Sequence, residues 1–298
     1  MNPMICEHCH KENRNIAKFC RWCGKPLSSN NILGRLIGLE EVKKQMKTVV
    51  DTYAFLHSRK DVVNVRLSIN AVIMGETGTG KTQLSEIFRD YFYQHRIISK
   101  PKLTVVDAVD YQRFVDKWDD NVKNSKGGIL FFDNVQKLLP DRYSNQVNPL
   151  DKLFVEMDHW NDDPIVIISG LTKGLEDFLT NNPAISSRFK YIFRLPTPGY
   201  KELCEICKKA LQNKYGLSNF TIEAERRLER YFKYQLKTKD ESYGYAHEAV
   251  KEAEDIFTSF ISRGAPNTLI QEQDIQGYVP EERSLEDILK DLDHFIGM

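Results

Sequence analysis

The sequence lacks the features that direct a chain to a membrane, an oxidising compartment or nucleic acid. Its 298 residues contain no apolar run of about 18 residues, the length that a membrane-spanning helix needs. The N-terminus, MNPMICEHCH, has no apolar core of a secretion signal. Lysine plus arginine equals aspartate plus glutamate at 42 each, so no net charge attracts polyanions. We therefore expect a cytoplasmic protein with no membrane partner, for which nucleic acid is a possible but not a favoured partner.

Cysteine is scarce, but four of the six cysteines are paired at the front of the chain. In a reducing compartment, paired cysteines are typical of metal sites rather than structural disulfides. The spacing predicts one Zn²⁺ held by four thiolates, from Cys6, Cys9, Cys20 and Cys23. His8 or His10 could replace a cysteine, but the symmetry of the two pairs favours sulfur. A segment this short has little apolar surface, so the metal would supply most of its folding free energy.

The segments ICEHC and FCRWCG resemble the short zinc ribbons that open many bacterial multidomain proteins. This resemblance implies a docking role and leaves open whether the ribbon binds protein or nucleic acid. Cys204 and Cys207 share the Cys-x-x-Cys spacing, but they lie in YKELCEICKKALQNKYG, whose apolar residues repeat at helical spacing. We expect this second pair to be buried on a helix face, because a cysteine thiol packs as a small apolar group.

A strand, a glycine-rich loop and a helix follow one another between residues 68 and 94. The apolar run SINAVIM precedes GETGTGKT, and QLSEIFRDYFYQH continues with helical periodicity. Gly-x-x-x-x-Gly-Lys-Thr in this context predicts a phosphate-binding loop. Backbone amides would surround the β-phosphate, Lys81 would reach the β and γ oxygens, and Thr82 would hold Mg²⁺. The predicted nucleotide-binding residues of the loop are Gly75, Glu76, Thr77, Gly78, Thr79, Gly80, Lys81 and Thr82.

Five apolar runs alternate with helical segments and predict a parallel α/β sheet covered on both faces. The predicted strands are 69–74, 103–107, 129–133, 165–169 and 191–195. Asp133 ends the third strand, where a carboxylate would make a second magnesium contact through water. Ser169 ends the fourth, where its hydroxyl could touch the γ-phosphate or the attacking water. Beyond Gly199 the pattern becomes all-helical, which indicates a lid.

Taken together, these motifs resemble the AAA+ ATPases, in the branch that contains red-type Rubisco activase and stage V sporulation protein K. The matching stretches are IGLEEVKKQM, GETGTGKT, GGILFFDN, IVIISGLTKGLEDFLTNNPAISSRF and SYGYAHEAVKEA, in the family's order from about Leu33 to Gln276. The resemblance implies ATP and Mg²⁺ as ligands, assembly into a ring of identical or different subunits, and a protein client.

The resemblance also implies roles for particular residues. Ile37, Gly38 and Leu39 would line the adenine pocket. Ser169 takes the first sensor position, and Arg188 occupies the finger position that reaches the γ-phosphate of a neighbouring subunit.

Three departures from the family bear on hydrolysis. Asn134 stands where a glutamate polarises the attacking water, and an amide can orient water but cannot accept its proton. His247 replaces an arginine of the second sensor, exchanging a permanent charge for one mostly absent at neutral pH. The segment between residues 107 and 127 is shorter than in the activases, and YQRFVDKWDDNVKN reads as one continuous helix. We therefore do not expect the aromatic-glycine pore loop.

These patterns predict a zinc ribbon over 1–27, an AAA+ nucleotide-binding domain over 28–198, a helical lid over 199–279 and a C-terminal helix over 280–298. The last segment, SLEDILKDLDHFIGM, reads either as the start of a second AAA+ module or as a plain amphipathic helix. The function expected is an ATP-binding module with weakened hydrolysis, with catalytic positions Asp133, Asn134, Ser169 and Arg188. The alternatives are a fully active remodelling ATPase and a zinc-ribbon ATPase associated with nucleic acid.

Overall fold

The computed structural model describes residues 4–5, 11–13, 20–24, 32–59, 68–138, 150–160, 163–240, 242–264 and 268–279. These residues divide into two compact units. The first lies within Met1–Glu76 and Gly80–Pro196, and the second within Thr77–Thr79 and Thr197–Met298. None of the described helices is both long enough and apolar enough to cross a bilayer.

Five parallel strands form the sheet of the first unit: Ala71–Gly75 (β3), Leu103–Asp107 (β4), Ile129–Asp133 (β5), Ile165–Gly170 (β6) and Tyr191–Leu195 (β7). Their order across the sheet is β4-β5-β6-β3-β7. Every residue of β3, β5 and β6 is buried, because helices cover both faces of a parallel sheet. The five-stranded parallel sheet expected from the sequence is confirmed, with strand ends within about two residues of those predicted.

Alternate strand residues pack against two different layers of helices. Ile73 and Phe131 face a layer built from α1 (Glu40–Ser58) and α2 (Lys81–Gln94). Val72 and Phe132 face the opposite layer, formed by α3 (Tyr111–Val115), α4 (Trp118–Ser125), α5 (Asp151–Met157) and α6 (Thr172–Asn181). The short helix α7 (Pro183–Ser186) follows α6. This sandwich fixes the strands, and therefore the polar residues at their carboxyl ends.

The prediction of one continuous helix from Tyr111 to Asn124 is wrong, because the chain breaks between α3 and α4. Lys117 leaves the helical conformation, with φ −125° and ψ 40°. The Asn121 amide donates to the carbonyl oxygen of Phe114 at 3.0 Å and satisfies an acceptor near the break. Phe114 and Trp118 are both buried, with ring centroids 5.4 Å apart, so helical apolar spacing continues across the interruption.

Before the sheet, a hairpin pairs β1 (Met4–Ile5) with β2 (Glu12–Asn13), and Cys20 and Cys23 lie in a turn. Cys6 and Cys9 lie outside the described residues, as does the segment 280–298 predicted to form a C-terminal helix. Among the residues that are described, no group of three or more His, Cys, Asp and Glu side chains is placed to hold a metal ion. The four-thiolate site therefore stays a prediction.

The second unit is built on α8 (Tyr200–Tyr215), α9 (Ile222–Thr238) and α10 (Ala246–Ser262). The expectation of a purely helical segment is wrong, because β8 (Asn219–Phe220) and β9 (Leu269–Ile270) pair in parallel. Strands of two residues are too short to show a period in the sequence. Cys204 and Cys207 are buried on α8, as predicted, and burial raises the pKa of the Cys204 thiol to about 12.

Candidate functional site

The glycine-rich loop joins the end of β3 to the start of α2. Gly75 is the last residue of β3, and α2 begins at Lys81. Gly80 caps α2 in the left-handed conformation, with φ 92°, which residues with a side chain rarely adopt. The chain thus directs the N-terminus of a 14-residue helix toward the loop, an arrangement suited to binding an anion.

Lys81 lies buried within the first unit. Its ammonium group donates to the carbonyl oxygens of Gly75 at 2.8 Å and Glu76 at 2.9 Å. Burial lowers the pKa of Lys81, while the charges of Asp133 and Glu76 act in the opposite direction. A buried cation that donates to two carbonyl oxygens would gain free energy from a phosphate anion beside it.

Asp133 joins the helix after the loop to two strand ends. Thr82 Oγ1 donates to Asp133 Oδ2 at 2.7 Å, and the Ser169 hydroxyl donates to Asp133 Oδ1. The backbone N–H of Asn134 also donates to Asp133 Oδ1, at 3.0 Å. Asp133 is buried. A hydroxyl and a carboxylate oxygen, held together on rigid elements, are ligand types that Mg²⁺ accepts directly or through water. The structure therefore brings Lys81, Thr82, Asp133 and Ser169 together at one edge of the sheet.

Asn134 adopts the left-handed conformation directly after β5, with φ 58° and ψ 34°. Its side-chain amide donates to Asp107 Oδ2 at 2.7 Å. Asp107 ends β4 and lies opposite Asp133 in the register of the two strands. The sequence pattern predicts a strand that ends at residue 107 but assigns no role to Asp107. The available signal was a carboxylate at the same sheet edge as Asp133.

Two hydrogen bonds define the environment of Asp107. The backbone N–H of Val109 donates to Oδ1 at 3.0 Å, and the Asn134 amide donates to Oδ2. These bonds, in that order of effect, lower the pKa of Asp107, and the charge of Lys137 adds to them. The Asp107 side chain is therefore ionised at neutral pH.

Arg188 lies apart from this group. Its guanidinium binds Asp158 through two hydrogen bonds, of 2.9 Å and 2.5 Å, and also donates to the carbonyl oxygen of Ala184. The hydrogen bonds from Arg188 hold the pKa of Asp158 below its ordinary value. Within the described residues, none of the hydrogen bonds of Arg188 reaches Lys81 or Asp133.

The remaining predicted nucleotide-binding residues lie at helix starts. Ile37, Gly38 and Leu39 precede α1 and are partly exposed. Gly38 and Leu39 both have positive φ, at 60° and 59°. Thr77, Gly78 and Thr79 group with the second unit, in which the backbone N–H of Ala246 donates to Gly78 O at 3.0 Å. His247 is exposed in the first turn of α10.

A glycine-rich loop between a buried strand and a helix, with a carboxylate at the end of another parallel strand, defines an α/β P-loop nucleotide-binding domain. Residues 71–197 match the family described as "ATPase family associated with various cellular activities (AAA)". This part of the chain is an AAA ATPase domain.

Two relatives extend the likeness beyond that domain. The chain is 27% identical to stage V sporulation protein K of Bacillus subtilis over 209 residues, 67% of this chain and 64% of that protein. It is 29% identical over 191 residues to the ESX-1 secretion system protein EccA1 of Mycobacterium leprae, 59% of this chain and 33% of that protein. The match thus spans less than two thirds of either relative.

A solved structure has the same fold. A variant of RuvB from Thermotoga maritima superimposes with a TM-score of 0.56 over 82% of this chain and 69% of the other, at 19% sequence identity. At that identity the likeness concerns the fold alone.

Proposed function

We propose that this chain is an ATP-binding AAA module with slow hydrolysis, acting as a subunit or regulatory part of a ring-type assembly that remodels a protein client. The observation that carries the proposal is the contact between Thr82, Asp133 and Ser169 beside the buried Lys81. In this proposal Lys81 binds the β and γ oxygens, Thr82 and Asp133 hold Mg²⁺, and Ile37–Leu39 line the adenine pocket. The bound metal would neutralise phosphate charge.

Slow hydrolysis is supported by two side chains. Asn134 donates its amide hydrogens and cannot accept a proton from water. The resemblance to the AAA+ ATPases implies an arginine at the position of His247, and a histidine lacks the permanent charge of arginine. Each change removes a different contribution to stabilising the transition state.

Assembly into a ring is supported by Arg188. Because its hydrogen-bonding partners are Asp158 and Ala184, the guanidinium does not serve the phosphate site through any described contact within its own chain. A finger residue that reaches a neighbouring subunit would behave in this way. A protein client and a cytoplasmic location are the parts of the proposal that rest on the resemblance to the AAA ATPases.

We also propose that residues 1–27 form a zinc ribbon, ahead of a nucleotide-binding domain over 28–198 and a lid over 199–279. The turn at Cys20 supports it: the backbone N–H of Trp22 donates to the Cys20 sulfur at 3.4 Å, and the Asn13 amide donates to it at 3.5 Å. Such donors stabilise a thiolate ligand. Metal analysis of reduced, chelator-free protein should give about one Zn²⁺ per chain, lost in Cys20→Ser. A wild-type content near zero would contradict the ribbon.

The test of the main proposal measures ATP affinity and ATP turnover on the same purified full chain. We expect Mg-dependent ATP binding with turnover well below the about 1–10 s⁻¹ ordinary for enzymes. Turnover in that range would favour the alternative of a fully active remodelling ATPase. No binding of ATP would remove the proposal.

A further inference from the structure

The side-chain amide of Asn134 is already occupied by a carboxylate. Asp107 is ionised and can only accept hydrogen bonds, so the 2.7 Å contact to Asp107 Oδ2 fixes which end of the amide is the donor. The amide oxygen of Asn134 therefore points away from Asp107. The strand end presents an acceptor oxygen from the amide and, next to it, a full carboxylate.

Asp107 and Asp133 lie opposite each other on adjacent parallel strands. Neighbouring strands are about 4.8 Å apart, so Asp107 is one strand spacing from the carboxylate assigned to the metal. Ligands of open parallel sheets bind outside the carboxyl ends of the strands, where both residues lie. Asp107 is thus at the edge where the terminal phosphate and its attacking water would sit.

Asp107 and Asp133 differ in how many further hydrogen bonds their carboxylates can accept. Asp133 is buried and accepts from three donors: Thr82, Ser169 and the backbone of Asn134. Asp107 is only partly buried and accepts from two, Val109 and the side chain of Asn134. A carboxylate offers about four lone-pair positions, so Asp107 keeps about two for water.

We propose that Asp107 is the catalytic base for ATP hydrolysis in this chain, with Asn134 orienting the attacking water. This inference rests on the proposed function, since it requires ATP at the loop. Water oxygen bonds to the γ-phosphorus as the bond from that phosphorus to the β–γ bridging oxygen breaks, and ADP leaves with the electron pair. The water proton passes to Asp107 and then to the phosphate product, which restores the carboxylate.

The same placement accounts for slow turnover. Asp107 reaches the water from the strand beyond β5, whereas a carboxylate at residue 134 would reach it from the end of β5 itself. A base held at a longer distance is less well aligned, and misplacement by about 1 Å can cost about 10²-fold in rate.

The test compares Asp107→Asn with Asp110→Asn on the full chain. An asparagine at 107 has nearly the same shape: its oxygen can accept from Val109, and its NH2 group can donate to the Asn134 oxygen once that amide turns over, so the fold should persist. Asp110 is an exposed residue that pairs with Arg113 on the surface, which makes it a matched control. We expect Asp107→Asn to lower ATP turnover about 10²-fold or more with ATP affinity within about 2-fold, and Asp110→Asn to leave both unchanged.

The exchange variant, Asp107→Asn with Asn134→Glu, separates catalysis from structure. It returns a carboxylate and an amide to the same pair of positions, so turnover should recover to the wild-type rate or above. Asn134→Glu alone should raise turnover less than the exchange variant does, because Asp107 and a glutamate at position 134 would be in contact and could not both ionise easily.

Three results would overturn the assignment of Asp107. The first is unchanged turnover in Asp107→Asn, and the second is no recovery of turnover in the exchange variant. The third is loss of turnover in Glu76→Gln but not in Asp107→Asn, which would assign the catalytic base to Glu76 in the loop. Wild-type protein that binds ATP without any turnover also overturns it, while the proposed ATP-binding module stands. Failure to bind ATP at all contradicts the proposed function itself.

Discussion

The phosphate-binding loop and the ends of β4 and β5 lie at the same edge of the sheet, but their charged groups are held in different ways. In the loop, the Lys81 ammonium donates to two backbone carbonyls, which an incoming phosphate can replace. At the strand ends, the Asn134 side-chain amide donates to the Asp107 carboxylate, and the amide oxygen and the remaining lone pairs of Asp107 are left for water. The charged group of the first region is held by the backbone, whereas that of the second is held by another side chain.

Under the proposed function, this difference makes nucleotide binding and hydrolysis separable in the chain. Binding depends on a contiguous motif that keeps every expected residue, Gly75 to Thr82. In the proposal, hydrolysis depends on which of two neighbouring strands supplies a carboxylate. The lack of an acid at position 134 does not leave the site without a carboxylate, because Asp107 lies within hydrogen-bonding distance of Asn134.

The largest effect should come from breaking the loop. Lys81→Ala removes charge-assisted hydrogen bonds to two phosphate groups, so ATP affinity should fall by roughly 1.5–3 kcal/mol, about 10- to 150-fold. Binding of a fluorescent ATP analogue by titration measures it. Lys47→Ala, an exposed lysine on α1, is the matched control and should change nothing. Equal affinity in the two variants would mean that the loop does not bind the nucleotide phosphates.

A smaller effect, on the free energy of unfolding, should come from the backbone conformation of Asn134 in the pair that it forms with Asp107 (the strand-end pair). Asn134 has a positive φ, which costs most residues about 1–2 kcal/mol and glycine very little. Asn134→Ala and Asn134→Gly lose the same hydrogen bond to Asp107, so only the backbone term differs between them. After the entropy of glycine in the unfolded chain is allowed for, Asn134→Gly should be the more stable by about 0.5–1 kcal/mol. Urea unfolding gives the difference, and an alanine variant at least as stable would contradict it.

The fold was predictable where one continuous stretch of sequence carries a clear pattern over several residues. Strands β3, β5 and β6 are runs of buried apolar residues, and the loop after β3 carries its own motif. The break at Lys117 was not predictable, because buried residues keep helical spacing on both sides of it. The strands β8 and β9 have two residues each and carry no period.

In the candidate site, too, some contacts were predictable from the sequence and others were not. The contact between Thr82 and Asp133 follows from two motifs whose places in the sheet are known once the strands are assigned. The pair Asp107 and Asn134 is 27 residues apart in the sequence and depends on strand register. A single sequence gives no direct signal for register, so the contact between Asp107 and Asn134 was not predictable.

The smallest expected effect is a pH dependence that belongs to the strand-end pair. The folded pKa of Asp107 lies below its ordinary value of 3.8, chiefly because of the Val109 and Asn134 hydrogen bonds. The stability it contributes is therefore present above pH 3.8 and is lost as the pH falls through the folded pKa. Because the carboxylate is largely solvated, Asp107→Asn should reduce the free energy of unfolding near neutral pH by only a few tenths of a kcal/mol. This deficit should shrink as the solution is acidified below pH 3.8.

The side-chain amide of Asn134 should account for part of this pH dependence of the free energy of unfolding. In an Asn134→Ala background, Asp107 keeps the Val109 bond and loses the other, so the effect of Asp107→Asn should be smaller there than in the wild type. Chemical unfolding of the four variants across the acid range measures the coupling between the two residues. A deficit that is equal in both backgrounds, or that grows on acidification, would mean that the amide does not stabilise the ionised Asp107. The two strand ends would then be independent of each other, and the contrast with the loop would no longer hold.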